Sequence, residues 1–279
     1  MVINTNTSSM IAQRNYGMAG MALAGSMERM ATGSRINRGA DDPAGLISSE
    51  SLKAALAQLD AESSGMERTD AVANVADGAM SEISGLLSDA NAAAVAMANT
   101  GGMSQSERDA YQMEIDSSIQ AVDRIASTTT FNGQKVLDGS MTLTAGGSSV
   151  TIGSSATGDI GQVNVGGKSY TLADIMSGGG LDASKGNAEG AQQAIAAAMS
   201  QVATMRGQVG AFQKDVIAPG LRSNSVEMEN TASANSIIRD TDYAAESGVF
   251  ARGQMLQGAS LRILAMANSS QAAALQILG

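Results

Sequence analysis

Apolar residues recur at coiled-coil spacing near both ends of this chain. They step by four and three residues near the N-terminus, and the same alternation returns near the C-terminus. A stripe that averages 3.5 residues per step can be buried only against another helix, so we expect the two terminal helices to pair. The residues expected to carry pairing and self-assembly are Tyr16, Gly20, Leu23, Met27 and Met30, and then Leu256, Ala259, Ile263, Met266, Ala273 and Ile277.

Two further helices are predicted between residues 42 and 127. The first starts at Asp42-Pro43, because Asp caps free backbone N–H groups and Pro is favoured at the first helical position, and it continues to about Asn99. The second starts at Ser104, where a Glu three residues later completes a capping-box pattern, and it runs antiparallel to the first. The apolar faces expected to form their common core are Met80, Ile83, Leu87, Met97, Ile115, Ile119 and Val122.

The apolar period changes after residue 128. A β-branched run followed by Asn132-Gly133 predicts a hairpin with these two residues in its turn. Short strands with glycine turns are predicted at residues 141–144, 150–152, 162–165 and 169–172, and Gly178-Gly179-Gly180 is too flexible to be given a structure. Helices follow from about residue 187 to 231, interrupted at Pro219, and from about 233 to 278.

These patterns predict a mainly α chain, a long-helix rod with terminal coiled-coil pairing and a small β-hairpin region in the middle. We expect paired terminal helices at residues 1–41 and 233–279, and a helical rod domain with a β-hairpin at residues 42–140 and 187–232. Residues 141–186 form a short Gly/Ser/Thr-rich insert between them. Such an arrangement is typical of a filament subunit and not of an enzyme with a pocket.

Composition narrows the possible chemistry. The absence of histidine and cysteine excludes a Cys/His zinc site, a cysteine nucleophile and a Ser–His dyad, so we expect no catalytic, metal or cofactor site. The net charge of −10 and the lack of a basic run argue against nucleic acid as a partner. No apolar run is long enough for membrane insertion, and no secretory signal pattern is present, so export without a cleaved signal is expected.

Ordered motifs at both ends make the chain resemble the bacterial flagellins, the subunits of the flagellar filament. The resemblance covers roughly residues 1–140 and 190–279. Many motifs in the same order are far more specific than any one of them. They are Ile3-Asn4-Thr5-Asn6, residues 28–37 (ERMATGSRIN), residues 40–50 (ADDPAGLISSE), Asp77-Gly78-Ala79, Asp123-Arg124-Ile125-Ala126, Phe131-Asn132-Gly133, residues 238–246 (IRDTDYAAE), Ala265-Met266-Ala267-Asn268 and Leu275-Gln276-Ile277-Leu278.

The resemblance implies a minimal flagellin whose variable middle region is very short. It implies a helical homopolymer used for motility, located outside the cell in the flagellum and exported through the flagellar type III apparatus. It also implies three kinds of partner: an export chaperone that covers the C-terminal helix, the filament cap and the hook-junction proteins. The residues themselves add one expectation: a single amphipathic helix cannot bury its stripe alone, so both termini are expected to be disordered in the free monomer and to fold and pair on assembly.

One departure from the family pattern bears on recognition by animal hosts. Many flagellins carry an Arg-Glu-Leu-Ala-Val-Gln stretch on the long helix, which an innate Toll-like receptor reads. The corresponding residues here are Asn91, Ala92, Ala93 and the three that follow, and Asp89 stands where a nearby arginine is usual. The hypothesis is weak recognition by that receptor, and drift on a surface buried in the filament is an equally good explanation.

Two other functions remain open from the sequence. A hook–filament junction protein shares the terminal pairing and an Asp-Asp-Pro start, but the Phe131-Asn132-Gly133 and Ile238-Arg239-Asp240 segments favour a flagellin. A coiled-coil adaptor would explain the heptads but not the ordered motifs at both ends. A protease in the middle insert, as in some flagellins, needs a histidine-based metal site, which this sequence lacks.

Overall fold

The computed structural model describes residues 5–99 and 102–278, with side chains described up to residue 270. The described residues are mainly helical and carry short antiparallel strand pairs in the middle of the chain. The α-helices are Thr7–Thr32 (α1), Pro43–Ala98 (α2), Gln105–Thr128 (α3), Ala188–Phe212 (α4), Ala218–Arg239 (α5) and Tyr243–Leu278 (α6). The strands are Thr130–Phe131 (β1), Gln134–Lys135 (β2), Thr142–Ala145 (β3), Ser148–Thr151 (β4), Val163–Val165 (β5) and Lys168–Tyr170 (β6).

Helix starts follow from local capping. The Asn6 side chain accepts a hydrogen bond from the Ser9 backbone N–H at the start of α1, at 2.9 Å. Asp42 accepts from the Gly45 N–H at 2.9 Å, just ahead of Pro43, and α3 begins with the predicted reciprocal capping box of Ser104 and Glu107. These contacts are encoded within four residues, which is why the sequence predicts the starts of α2 and α3 correctly.

The strands form three two-stranded antiparallel hairpins: β1 with β2, β3 with β4, and β5 with β6. The first hairpin turns through Asn132 and Gly133, whose φ angles are 51° and 80°. Both angles are positive, as a type I′ turn requires and as Asn-Gly favours. The predicted hairpin turn is therefore confirmed, and each of β3 to β6 lies within two residues of a predicted strand.

The C-terminal half differs from the prediction at one boundary. The last helix begins at Tyr243 rather than near residue 233. The preceding helix, α5, continues to Arg239, and residues 240–242 form a short non-helical link between the two. Asp242 caps the new helix by accepting from the N–H groups of Ala244 and Ala245 at 2.9 and 3.1 Å. The predicted interruption near Pro219 is confirmed, as a π-helical stretch at Gln213–Ile217.

The chain divides into two compact units. The terminal unit comprises Met1–Gln58 and Glu227–Gly279, and the central unit comprises Leu59–Val226. The central unit contains one continuous hydrophobic core to which α2, α3, α4 and the middle segment all contribute. Buried residues from the Gly/Ser/Thr-rich segment in this core are Leu143, Ala145, Ile152, Ile160, Leu172, Ile175, Leu181 and Ala183. This segment therefore contributes to the hydrophobic core of the central unit and does not form a separate surface element.

Candidate self-assembly surface

Helices α1 and α6 of the terminal unit pack side by side in opposite directions. At one end, the Asn6 side-chain amide donates to the Ala267 carbonyl at 3.0 Å, and the Ser9 hydroxyl donates to the Asn268 side-chain oxygen at 2.8 Å. At the other end, the Tyr243 hydroxyl donates to the Met30 carbonyl at 2.7 Å. The structure thus pairs the first and last helices of the chain, as the heptad spacing predicts.

The face of α6 that lies against α1 is made of small, polar and a few apolar residues. These are the positions of least exposure among the described side chains of α6, and they recur every three or four residues. We call them, with their counterparts on α1, the seam. The seam of α6 is Glu246, Phe250, Gly253, Gln257, Ser260, Leu264 and Ala267, and the seam of α1 is Ser9, Ala12, Tyr16, Ala19, Leu23, Ser26 and Met30.

The predicted pairing stripe on α6 is wrong by one position. Leu256, Ile263 and Met266 each precede a seam residue, and they are 54%, 51% and 62% exposed. Both stripes have the same spacing, so periodicity cannot separate them, and hydrophobicity favours the wrong one. The physical reason for the real seam is close approach: a Cβ added at Gly253 would lie 3.3 Å from the Leu23 Cδ1 atom.

The predicted residues of α1 fall into two groups. Tyr16, Leu23 and Met30 lie in the seam and are partly buried, and Gly20 is partly buried beside the seam residue Gln257. Met27 is not a seam residue and is 55% exposed. Ile277 falls among the residues whose side chains are not described.

Outside the seam, both helices present a broad apolar surface, which we call the outward face. Its large side chains are 42–71% exposed. Large exposed apolar side chains grouped on paired helices are typical of an interaction site. The members of the outward face are Met10, Ile11, Met18, Met21 and Met27 on α1 and Val249, Met255, Leu256, Leu261, Ile263 and Met266 on α6.

A shallow groove runs along the outward face of α6. It has a volume of about 470 Å³ and is lined by Met255, Gly258, Ala259, Arg262 and Ile263. Gly258 and Ala259 lower the surface between the larger side chains, so a ridge of side chains from another helix could lie there. Arg262 places one positive charge at its edge.

The loop after α1 is tied to the break between α5 and α6. The Arg35 N–H donates to the Arg239 carbonyl at 2.6 Å, the Thr241 N–H donates to the Gly33 carbonyl at 2.9 Å, and Ser34 forms an antiparallel bridge with Asp240. This backbone pairing was missed by the sequence analysis, because it joins segments two hundred residues apart. It fixes where α1 ends relative to the start of α6.

An ion pair stands beside this junction. The Arg29 guanidinium donates to the Glu246 carboxylate at 2.8 Å, and the two side chains are 32% and 12% exposed. The hydrogen bond from Arg29 lowers the pKa of Glu246 and raises that of Arg29 itself. Both residues belong to the sequence motifs quoted for the resemblance, so the pair links the two matching regions of the chain.

The predicted core residues of the central unit are all buried. Each is at most 1% exposed, and each belongs to the same continuous hydrophobic cluster. They are Met80, Ile83, Leu87, Met97, Ile115, Ile119 and Val122. In the segment considered for receptor recognition, Asp89 and Ala92 are exposed, Asn91 is partly buried and Ala93 is buried.

Two buried polar side chains stabilise the middle segment: Gln112 joins it to α3, and Asp182 joins neighbouring residues within it. The Gln112 amide donates to the Ile175 carbonyl at 2.9 Å, and its oxygen accepts from the Ala183 N–H at 3.0 Å. Burial of Asp182 on its own would raise its pKa, but hydrogen bonds from the Gly178 N–H, the Ser184 hydroxyl and the Lys185 ammonium outweigh it and lower the pKa to about 2. Gln112 was not singled out from the sequence because its partners lie more than sixty residues away, whereas the partners of Asp182 lie within four residues of it.

Metal sites and membrane-spanning helices are the other kinds of functional feature to consider within the described residues. There, no group of three or more acidic side chains comes close enough to hold a metal ion. None of the helices, over the same residues, is both long and apolar enough to cross a membrane. The outward face of α1 and α6 is therefore the strongest candidate for function.

Comparison with known proteins matches both ends of the chain. The model of the bacterial flagellin N-terminal helical region matches residues 3–142, and that of the bacterial flagellin C-terminal helical region matches residues 192–278. The two matches together contain both helices of the terminal unit that carry the outward face.

Similarity to individual proteins extends over the full chain. A flagellin of Halalkalibacterium halodurans is 31% identical over 280 residues, with 100% of both chains covered. The flagellar filament 30.7 kDa core protein of Treponema maltophilum is 30% identical over 298 residues, again with 100% of both covered. Flagellin B of Vibrio cholerae is 29% identical over 374 residues, with 99% of each covered.

Proposed function

Because the chain belongs to the bacterial flagellin family, and is therefore a structural subunit of the extracellular flagellar filament, we propose that the outward face of α1 and α6 drives its polymerisation. The observation that carries this proposal is the exposure of eleven large aliphatic or methionine side chains among the described residues of these two helices. The occupant of this face is a second copy of the chain. Contacts repeated from copy to copy without closing a ring produce an open helical polymer.

The terminal unit buries few hydrophobic residues by itself, so assembly is the step at which most of its apolar surface would be buried. Among its described side chains, the buried hydrophobic residues are Ala12 and Ile36. Burying one leucine-sized side chain contributes roughly 1.5–3 kcal/mol, so this unit gains little by folding alone and much when neighbours cover its outward face. We propose that α1 and α6 are disordered in the free monomer and that they fold and pair on assembly.

The test is an Ile263→Asp substitution, with Ile263→Val as its matched control. Ile263 is 51% exposed, so an aspartate there is solvated in the monomer, and the free energy of unfolding should change by no more than about 0.5 kcal/mol. In a polymer, the same carboxylate would be buried without a partner, so seeded polymerisation should fail. Sedimentation and negative-stain microscopy measure this directly.

The control separates charge from side-chain shape. Ile263→Val keeps an apolar surface and should form long filaments. Filaments of normal length from Ile263→Asp would contradict the proposed role of the outward face. Short oligomers from the unmodified chain that never elongate would instead favour the hook–filament junction protein, which the family comparisons do not favour.

Further partners follow from family membership as proposals. We propose export without a cleaved signal, capture of α6 by an export chaperone, and contact with the filament cap and the hook-junction proteins. Support comes from α6, since its exposed apolar residues would need cover before export. Co-purification of the chaperone with the full chain, and its loss on removing residues 243–278, tests this; retained binding would contradict it.

We also propose weak recognition by the host Toll-like receptor. Asn91 and the alanines after it offer neither the charge nor the reach of the Arg-Glu pair usual at these positions. Ala93 is in addition buried. A reporter-cell assay should give a response well below that of a standard flagellin, and an equal response would contradict the proposal.

A further inference from the structure

Methionine is concentrated on the outward face. The chain has eighteen methionines, and seven have large exposed side chains in the part described. Six of these seven lie on α1 and α6, with exposures of 51–71%. They are Met10, Met18, Met21, Met27, Met255 and Met266.

The central unit gives its methionines a different environment. Met66, Met80 and Met97 are at most 3% exposed and belong to the hydrophobic core. Met113 on α3 is 64% exposed and is the seventh of the exposed set. These methionines serve as internal controls for oxidation. The buried ones should react slowly, and Met113 is an exposed methionine that lies outside the terminal helices.

We propose that the six exposed methionines of α1 and α6 form a modification site at which peroxide controls assembly. The proposal rests on the outward face being the polymerisation surface. A thioether sulfur attacks one oxygen of hydrogen peroxide, an S–O bond forms and the O–O bond breaks. The departing hydroxide takes up the proton of the transferred oxygen, so that sulfur loses two electrons and peroxide is reduced to water.

The product changes the surface that a second copy must cover. Methionine sulfoxide carries a strongly polar S–O group, whereas the thioether is apolar. Burying several such groups without hydrogen-bond donors opposes addition of a monomer to the filament end. Subunits that are already assembled have these sulfurs covered by their neighbours. Oxidation therefore stops growth while it leaves the existing filament intact, and sulfoxide reduction restores the monomer.

The first experiment maps oxidation in full-length monomer and in filaments. Peroxide followed by peptide mass spectrometry should oxidise the six terminal methionines and Met113 in the monomer and spare Met66, Met80 and Met97. In filaments the six should be protected. Seeded growth of the oxidised monomer should need at least about a tenfold higher concentration, and methionine sulfoxide reductases for both epimers should restore it.

Leucine variants identify which methionines make polymerisation sensitive to peroxide. Leucine keeps the apolar volume and cannot form a sulfoxide, so a chain with all six replaced should polymerise equally before and after peroxide. The matched control Met113→Leu should remain sensitive. Unchanged growth of oxidised wild-type monomer, or peroxide sensitivity in the six-leucine chain, would overturn the proposal. Should the six-leucine chain not polymerise untreated, failure of the reductases to rescue oxidised wild type would overturn it.

The same data distinguish failure of the peroxide proposal from failure of the proposal that the outward face drives polymerisation. If untreated wild type does not polymerise, or if the six methionines react as fast in filaments as in monomers, then the outward face is not the polymerisation surface. If untreated wild type polymerises and protects them, but oxidised monomer grows normally, the assembly surface stands and the peroxide control fails.

Discussion

The central and terminal units use apolar residues in opposite ways. The central unit places Leu87, Ile115 and Ile119 at no measurable exposure inside a continuous core. The terminal unit leaves Leu256 and Ile263 about half exposed and fills its own seam with residues such as Gly253 and Gln257. The central unit buries its apolar side chains within itself, whereas the terminal unit leaves large apolar side chains exposed, as the proposed assembly surface requires.

Polar groups repeat the contrast. In the central unit, Gln112 and Asp182 are at most 2% exposed, and backbone N–H groups satisfy them. In the terminal unit, the Arg29–Glu246 pair and the Tyr243 hydroxyl bond lie at partly exposed or exposed positions. Buried, satisfied polar groups favour one arrangement strongly, whereas exposed ones can rearrange at little cost.

The largest expected difference comes from the same truncation made in each unit. Leu87→Ala leaves a cavity in a sealed core and should lower the free energy of unfolding by about 2–5 kcal/mol. Leu256→Ala removes a side chain that is already 54% exposed, so the monomer should lose no more than about 0.5 kcal/mol. Urea denaturation of the two full-length monomers, followed by circular dichroism, measures both values.

Polymerisation should rank the two variants in the reverse order. Leu256→Ala removes apolar area that a neighbouring copy would cover, and the monomer concentration needed for seeded growth should rise about tenfold for each 1.4 kcal/mol lost. Leu87→Ala should grow filaments wherever it remains folded. Equal losses of monomer stability in the two variants would show that the units do not differ in this way.

Local signals explain what the sequence could predict. Asp42, Ser104 and Asn132 act on backbone groups within four residues, so the starts of α2 and α3 and the first hairpin turn follow from short motifs. The core of α2 and α3 follows from periodicity, because large apolar residues occupy one face of each helix and no competing stripe exists there. The function of a filament subunit was predicted from the ordered family motifs at the two ends of the chain.

Non-local geometry explains what the sequence could not predict. The α6 seam has the spacing of its apolar neighbour stripe, and only the close approach of Gly253 to Leu23 distinguishes the two. The break at Asp240–Asp242 depends on backbone pairing with residues 33–35, although Asp242 itself is a recognisable N-cap residue. Gln112 looks like an ordinary polar position until residues 175 and 183 are placed beside it.

A smaller effect, of the same sign but different size in the two units, should appear on acidification. The folded-state pKa of Asp182 is about 2, below its ordinary value of 3.8, so its stabilisation is full above pH 4 and is lost as the pH falls towards 2. Because 1.4 kcal/mol corresponds to one pKa unit, Asp182→Asn should cost about 2 kcal/mol at pH 7, a difference that shrinks over that window.

Glu246 should show the same sign with less effect. Its pKa is also lowered, by the hydrogen bond from Arg29, so its contribution is present above its ordinary value of 4.5 and falls as the carboxylate is protonated. Arg29 is 32% exposed, which limits the loss in Glu246→Gln to roughly 1 kcal/mol or less. Stability against pH is measured on the monomer for Asp182→Asn and on filaments for Glu246→Gln, because α1 and α6 are proposed to pair only on assembly. A larger loss for Glu246→Gln than for Asp182→Asn would mean that the terminal pair is held as rigidly as the central core, which its exposure argues against.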